Sequence, residues 1–339
     1  MDIILLPLTH EPRQDSRLYA CVSPRLNLVA RTFRLIKQQV RLPLTNPRQY
    51  SSVDFIPFSH ESLLLKSREH RFSSPSQSCF VMAMTLLTTA QTLWARLVST
   101  HDPHAIDFVG TLVVQFIFWW IPCILFVSLD SLAPSFSARH KIQPAPKQPS
   151  STDILHSVLV CTRNQAIVFA LHAALLYASS ANGQTPSIRV DPSFPSVREF
   201  SSHLAVSVLA REVLFYTSHR VFHWRPLYRR FHKTHHKFTA PVAFSSQYAH
   251  PVEHLVANVL PILLPPLLLG SHILTMWVFV AFQLIETSTV HSGYDFFAGA
   301  AKKHDRHHER FEVYYGGIGL LDYVFGTDER EGPKREKKE

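Results

Sequence analysis

A run of 22 residues without a charged side chain, at positions 108–129, limits the folds open to this chain more than any other feature. As a helix it is long enough to cross about 30 Å of hydrocarbon, because each residue adds about 1.5 Å along the axis. Residues 254–285 form a second uncharged run, which is too long for one crossing and is interrupted by three prolines and a glycine. We interpret it as a helical hairpin that enters and leaves one face of a bilayer.

Two further segments bear on the number of crossings. Residues 164–180 form a shorter, weaker apolar run, and residues 197–224 are predicted to form one long helix in which Arg211 and Glu212 interrupt the apolar pattern. A buried core helix is the alternative for each apolar run. Charged residues make up only 17% of the chain, against about 25% in soluble domains. The sequence therefore predicts an all-α integral membrane protein with four or five transmembrane helices.

Histidines are concentrated in one part of the chain, where 12 of the 21 fall between His219 and His308. They come in three sets with spacings of three and four residues, which place imidazoles on one face of a helix. Neutral imidazole is a common ligand for transition metals. The eight histidines of these sets are His219, His223, His232, His235, His236, His304, His307 and His308. Eight ligands are too many for one tetrahedral zinc ion and suit two metal ions that share a site.

Three carboxylates lie among these sets. Glu212 shares a helical stripe with His219 and His223, so it is a candidate for orienting a ligating imidazole, as carboxylates often do near metal ligands. A salt bridge to a neighbouring arginine is the alternative. Glu253 and Asp305 admit the same two interpretations.

The net charge of +9 does not indicate a nucleic-acid-binding protein, because the basic residues follow a membrane topology. Within residues 82–326 they concentrate at 220–237 and 302–310, around the histidine sets. By the positive-inside rule both regions face the cytosol, and a two-pass hairpin between them returns the chain to that side. We therefore expect a cytosolic helical cap that holds a histidine-rich dimetal site. The four cysteines form no CxxC pair and no disulfide pattern.

Composition divides the chain into three parts. Residues 1–81 are rich in serine, proline and arginine, and we expect a poorly ordered N-terminal extension. It is also a candidate for an upstream extension of the true start, because Met82 and Met84 precede the first periodic helix. Residues 82–328 form the predicted membrane domain, and residues 329–339 form a charged C-terminal tail.

The histidine sets belong to a longer series of motifs that resembles a known family. In order, the chain reads HRxxH at 219–223, HKxHH at 232–236, YAHPxE at 248–253, HSGY at 291–294, HDxHH at 304–308 and DYVFGT at 322–327. This series resembles the fatty acid hydroxylase / sterol desaturase superfamily over about residues 110–328. It is most similar to the C-4 methylsterol oxidases and to fatty acid hydroxylase domain-containing proteins. The segment 139–143, which contains KIQ, resembles the stretch after the first span in that subgroup.

The resemblance implies a multi-pass protein of the endoplasmic reticulum membrane with a cytosolic catalytic cap and a non-haem di-iron centre. It implies that the eight histidines above are iron ligands, with His291 as a ninth. Many related hydroxylases have a histidine four residues after the position of His291, where this chain has Asp295. Either Asp295 ligates as a carboxylate or the site has one imidazole fewer. His250 and His272 are expected in an outer shell or along the substrate path.

The activity implied is O₂-dependent hydroxylation or oxidation of a lipid C–H bond, with electrons from NAD(P)H through cytochrome b5 or a reductase. The main candidate substrate is a sterol, oxidised at a C-4 methyl group. The alternative is hydroxylation or desaturation of a fatty acyl, sphingoid or secondary-metabolite substrate. Two other interpretations are a membrane zinc-binding or metal-transport protein and a catalytically inactive regulatory relative.

Overall fold

The computed structural model describes residues 75–296 and 299–329, and this part of the chain contains helices but no β-strand. In chain order the main helices are α1 (Pro75–Thr100), α2 (Pro103–Leu132), α3 (Pro134–His140), α4 (Ser151–Ala181), α5 (Val197–Phe222), α6 (Pro251–Leu268), α7 (Ile273–Val290), α8 (Ala300–Arg310) and α9 (Leu320–Phe325). The predicted all-α fold is confirmed. The extension expected at 1–81 lies outside the described residues except for 75–81, which belong to α1, and residues 330–339 of the tail also lie outside them.

Four helices of the described chain are long and apolar enough to cross a membrane, namely α2, α4, α6 and α7. The chain is thus a multi-pass membrane protein, and α6 and α7 form the predicted hairpin. α5, which contains Arg211 and Glu212, is not among the four. Large apolar side chains on the outer faces of the spans are exposed in the isolated protein, for example Val109, Leu125 and Phe282. Such surface is expected where lipid rather than water surrounds a helix.

The starts of α2, α4 and α5 are each set by a side chain that accepts hydrogen bonds from backbone N–H groups of the first turn. Asp102 caps α2, where Pro103 occupies the first helical position. Ser150 caps α4 by accepting from the N–H of Asp153, and Ser196 caps α5 by accepting from the N–H of Glu199. These caps define where each helix begins, and so which of its side chains face the protein interior.

Close packing joins α2 to α7 on the membrane side of the histidine sets. A Cβ atom at Gly110 would lie 1.9 Å from Cζ2 of Trp277, so glycine is needed for this approach. The Trp277 Nε1–H donates to Thr111 Oγ1 at 3.1 Å. After α7, the hydroxyl of Tyr294 donates to Oδ1 of Asp130, which lies near the end of α2, at 2.7 Å. The two helices therefore lie side by side over most of their length, and the segment after α7 is anchored to the end of α2.

Candidate metal centre

Helix ends bring the histidine sets together. α5 ends at Phe222, so that His223 is its C-cap residue, and α7 ends at Val290, so that His291 is its C-cap residue. Gly293, with φ of 78°, then turns the chain away from α7 in a conformation that favours glycine. A π-helical turn at Tyr228–His232 and a 3₁₀ turn at His235–Lys237 carry the second set, and α8 carries the third. The second set therefore lies in irregular backbone, as is common at functional sites, while the third lies within a regular α-helix.

Nine histidines form two adjacent clusters, and they are the same nine that the sequence analysis singled out. The five-histidine cluster comprises His219, His223, His232, His236 and His307. The four-histidine cluster comprises His235, His291, His304 and His308. Within each cluster the candidate ligand atoms all lie within 4.8 Å of one another.

The imidazole Nε2 atoms converge within each cluster. In the five-histidine cluster, Nε2 of His232 lies 2.9 Å from Nε2 of His223 and 3.0 Å from Nε2 of His236. In the four-histidine cluster, Nε2 of His304 lies 2.8 Å from Nε2 of His291. Two nitrogen ligands bound at right angles, each about 2.1 Å from one metal ion, would be about 3 Å apart. The spacing therefore fits nitrogen atoms that share a metal ion.

Backbone carbonyl groups determine which ring nitrogen carries the proton. A carbonyl oxygen only accepts hydrogen bonds, so an Nδ1 atom that contacts one must be the donor, which leaves Nε2 with a free lone pair. Four such bonds occur: His219 to Tyr315 O at 2.8 Å, His291 to Thr287 O at 2.8 Å, His307 to Val313 O at 2.6 Å and His235 to Tyr248 O at 3.3 Å. The Nε2 atom of His307 is buried without a hydrogen-bond partner. Clustered lone pairs of this kind repel one another unless a cation lies between them.

Burial keeps these imidazoles neutral. It lowers the pKa of His219 and of His235 to about 4, that of His291 to about 3 and that of His223 to about 2. Burial, reinforced by neighbouring histidines, also lowers the pKa of the other five, His232, His236, His304, His307 and His308. Near pH 7 all nine rings are therefore in the form that binds metal ions.

A buried carboxylate orients one of the rings. Oε1 of Glu253, at the start of α6, lies 2.6 Å from Nδ1 of His232, and both side chains are almost fully buried. The contact holds the His232 proton on Nδ1 and turns Nε2 toward the five-histidine cluster. Glu253 therefore orients an imidazole, which was one of the two contacts predicted for it.

A cavity of 310 Å³ lies on the membrane side of the clusters, between α2, α4, α5, α6 and α7, with a mostly apolar lining. Phe215 and Thr287 are among its lining residues. The Phe215 ring centroid is 5.2 Å from that of His219, and the Thr287 carbonyl accepts from His291. Residues that line the cavity therefore contact one histidine of each cluster, although none of the nine clustered histidines lines it.

Comparison with known proteins identifies the family. A family model described as fatty acid hydroxylase matches residues 204–327, which contain all nine histidines. The human fatty acid hydroxylase domain-containing protein 2 is 36% identical over 245 residues, which cover 70% of this chain and 72% of the relative. The chain belongs to the fatty acid hydroxylase family.

Other relatives in this family are named for different substrates. Methylsterol monooxygenase 1-2 of Arabidopsis thaliana is 31% identical, over 71% of this chain and 84% of its own length. The fatty acid hydroxylase ahd1 of Mycosarcoma maydis is 32% identical, over 68% of this chain and 60% of its own length. No solved structure matches the chain.

In this fatty acid hydroxylase family member, Glu212 makes a contact different from both of the predicted ones, which were orientation of an imidazole and a salt bridge to an arginine. Its Oε2 accepts hydrogen bonds from the backbone N–H groups of Gly317 and Ile318, at 2.9 and 3.0 Å, instead of orienting an imidazole. Asp322, to which the sequence analysis assigned no role, accepts from the N–H of Tyr315 at 2.8 Å. The two carboxylates hold the loop 313–322, whose carbonyls accept from His219 and His307. A long-range loop of this kind leaves no periodic signal in the sequence.

Three other predicted positions lie outside both clusters. His250 caps α6, since its Nδ1 accepts from the N–H of Val252 at 3.2 Å. Asp295 pairs with Lys302 at 3.4 Å and is not grouped with the histidines. His272 caps the start of α7, 19 residues and about 28 Å along the helix from His291, so it does not lie in the outer shell of the site.

Asp305, inside the last histidine set, is held by the KIQ segment. The Gln143 side-chain amide donates to both Asp305 carboxylate oxygens at 3.0 Å and to Thr239 O at 2.7 Å. These bonds connect α8 to the segment that follows α3. Asp305 therefore makes neither of its predicted contacts, which were orientation of an imidazole and a salt bridge to an arginine. They hold His304 and His308, on the same helix, against the rest of the site.

Proposed function

We propose that the two histidine clusters bind two iron ions and that the protein uses O₂ to hydroxylate or oxidise a C–H bond of a membrane lipid. The observation that carries the proposal is the pairing of two buried, neutral imidazole clusters with an apolar cavity whose lining residues Phe215 and Thr287 contact them. Membership of the fatty acid hydroxylase family supports it.

The donor set fits a redox metal. Nine imidazoles exceed the needs of one tetrahedral zinc ion, and imidazole is a suitable ligand for iron. Bound iron supplies the oxidising chemistry, which no protein side chain can provide for an unactivated C–H bond. In a hydroxylation, O₂, two electrons, two protons and the lipid C–H group yield a lipid alcohol and water.

The side chains of the protein would bind the metal ions, orient the imidazoles and shield the site from water. Nδ1 bonds to carbonyls and to Glu253 keep the Nε2 lone pairs pointed inward. The aromatic rings of Phe311 and Tyr315 pack on this arrangement, with centroids 4.7 Å from His236 and 5.1 Å from His223. These rings limit the access of water to the site, which protects reactive species from side reactions.

A sterol is the main candidate substrate, oxidised at a C-4 methyl group, and the relatives named methylsterol monooxygenase support it. A fatty acyl, sphingoid or secondary-metabolite substrate is the alternative. The relatives named fatty acid hydroxylase ahd1 and very-long-chain aldehyde decarbonylase GL1-10 support a chain lipid. Comparison of membrane lipids with and without the gene would separate the two by the precursor that accumulates.

Electrons are proposed to come from NAD(P)H through cytochrome b5 or a reductase. Arg220, Arg229, Arg230 and Lys233 are exposed close to the five-histidine cluster. Such a surface favours association with an acidic donor protein. Since basic residues near membrane spans face the cytosol, we propose that the catalytic cap is cytosolic in the endoplasmic reticulum membrane.

The metal content of the purified protein tests the proposal. We expect about two iron ions per chain in detergent, together with O₂ consumption when a reductant and a lipid substrate are present. His235→Ala is expected to lose iron and to reduce lipid oxidation at least about 100-fold, because it removes a ligand of the four-histidine cluster. His101→Ala, at an exposed position outside the clusters, is the control. One tightly held zinc ion and no O₂ consumption would contradict the proposal.

The Glu253 contact gives a second prediction. Glu253→Gln is expected to weaken iron binding by about 10- to 100-fold, because the amide can keep the hydrogen bond but loses the charge that supports the imidazole. Competition with a chelator measures this affinity. Glu309→Gln is the matched control, since Glu309 lies on α8 and pairs with Lys147 rather than with a histidine. Equal iron affinity in the two variants would remove Glu253 from its proposed role.

A further inference from the structure

The cavity contains several polar side chains inside a membrane bundle, and most of them are paired with one another. Gln165 accepts from Trp120 Nε1 and donates to Gln247 Oε1, both at 2.8 Å. Thr111 donates to Asp107 at 3.3 Å. These groups need no ligand, because a buried polar group that is already hydrogen-bonded gains little from another partner.

Two glutamines on facing helices are exceptions. The Nε2 atom of Gln115, on α2, and the Oε1 atom of Gln283, on α7, are both buried without a hydrogen-bond partner, and both residues line the cavity. Gln283 is only 3% exposed. An unpaired buried amide group is costly in an apolar environment. The cavity therefore offers one free donor and one free acceptor to a ligand.

We infer that Gln115 and Gln283 recognise the hydroxyl group of a lipid alcohol, an inference that rests on the proposed lipid-oxidising function. A hydroxyl is the simplest group that accepts one hydrogen bond and donates another. It can accept from Gln115 Nε2 while donating to Gln283 Oε1. An ester or an ether only accepts and would leave the Gln283 oxygen unpaired.

The charges around the cavity argue against a carboxylate ligand. Arg211 lines the cavity, but its guanidinium Nη2 lies 2.9 Å from Glu286 Oε2. Its charge is thus already balanced by a neighbour. A fatty acid carboxylate would add a second negative charge beside this pair and would also lack a proton to donate to Gln283.

The position of Gln283 also limits where such a lipid is oxidised. Gln283 precedes His291 by eight residues on the same helix, which corresponds to about 12 Å along its axis. A hydroxyl bound there lies on the order of 10 Å from a carbon that reaches the histidines. A long-chain alcohol spans this distance. A C-4 methyl group adjoins the hydroxyl of a sterol and does not reach the histidines from this pose. The pose therefore favours the alternative chain-lipid substrate over a sterol oxidised at C-4.

Binding of lipid alcohols and their methyl ethers tests the inference without requiring turnover. The full chain in nanodiscs would be titrated with lanosterol, octadecan-1-ol and the methyl ether of each. We expect the alcohol to bind about 10-fold more tightly than its ether in at least one pair, as one buried hydrogen bond predicts. Gln115→Met and Gln283→Met, which keep the side-chain length, are expected to reduce this preference to less than about 2-fold. Phe282→Leu, at an exposed position beside Gln283, is the control.

Each result has one meaning. If only lanosterol binds more tightly than its ether, the ligand class is a sterol alcohol. If only octadecan-1-ol binds more tightly than its ether, the ligand class is a chain alcohol. Equal binding of alcohol and ether in both pairs, or an unchanged preference in both methionine variants with normal melting temperatures, overturns the inference. Selective binding without any lipid oxidation would instead reject the proposed function alone, while oxidation without hydroxyl preference would reject only the role of the glutamines.

Discussion

Replacing His307 with alanine is expected to lower the iron content of the purified protein from about two ions per chain to about one. His307 belongs to the five-histidine cluster, and its buried Nε2 atom has no hydrogen-bond partner that would compete with a metal ion. The ion in the four-histidine cluster keeps its own ligands. Lipid oxidation is expected to fall at least about 100-fold, because the proposed chemistry needs both ions. Iron analysis and product measurement on the same preparation check both expectations.

Substitution in the other cluster provides the matched comparison. His304→Ala is expected to retain about one ion as well, this time in the five-histidine cluster. The double variant is expected to retain almost none. If either single variant keeps both ions, the division into two clusters is contradicted, and if either variant keeps full activity, the substituted histidine is not a functional ligand.

Replacing Glu212 with alanine is expected to destabilise the protein by about 3 kcal/mol, because two partly buried N–H groups lose their charged acceptor. Glu212 is 1% exposed and accepts from Gly317 and Ile318. The loop that they belong to supplies the Tyr315 carbonyl that holds His219. We therefore expect a lower melting temperature in detergent and weaker retention of iron in the five-histidine cluster.

A second glutamate on α5 serves as the control for Glu212. Glu199, in the first turn of α5, pairs with Arg189 on the exposed surface. Glu199→Ala is expected to cost less than about 1 kcal/mol, as exposed ion pairs usually do. If Glu212→Ala melts at the same temperature as Glu199→Ala, the loop does not depend on the buried carboxylate.

The spacing within each histidine set is related to the cluster that each histidine joins. Each pair separated by four residues stays within one cluster, as for His232 and His236 in the five-histidine cluster, and His304 and His308 in the four-histidine cluster. His235 and His307, at other offsets in the same sets, belong to the opposite clusters. Spacing of four residues places side chains on one helical face, so the pairing of His304 and His308 on α8 could be predicted. His232 and His236 lie in separate π-helical and 3₁₀ turns, so their pairing depends on the fold. Which of the two clusters each remaining histidine joins depends on how the helices pack.

The sequence by itself determined the membrane character, the helices and eight of the nine clustered histidines, because these depend on local composition and on spacing within a helix. The ninth, His291, was implied only by the family resemblance. Tertiary structure decided the division into two clusters, the contact of Glu253 with His232, the loop bonds of Glu212 and the separation of His272 from the site. These features join residues far apart in the chain, such as Glu212 and Gly317. Hydrophobic periodicity records which face of a helix is buried, but it does not record which distant segment covers that face.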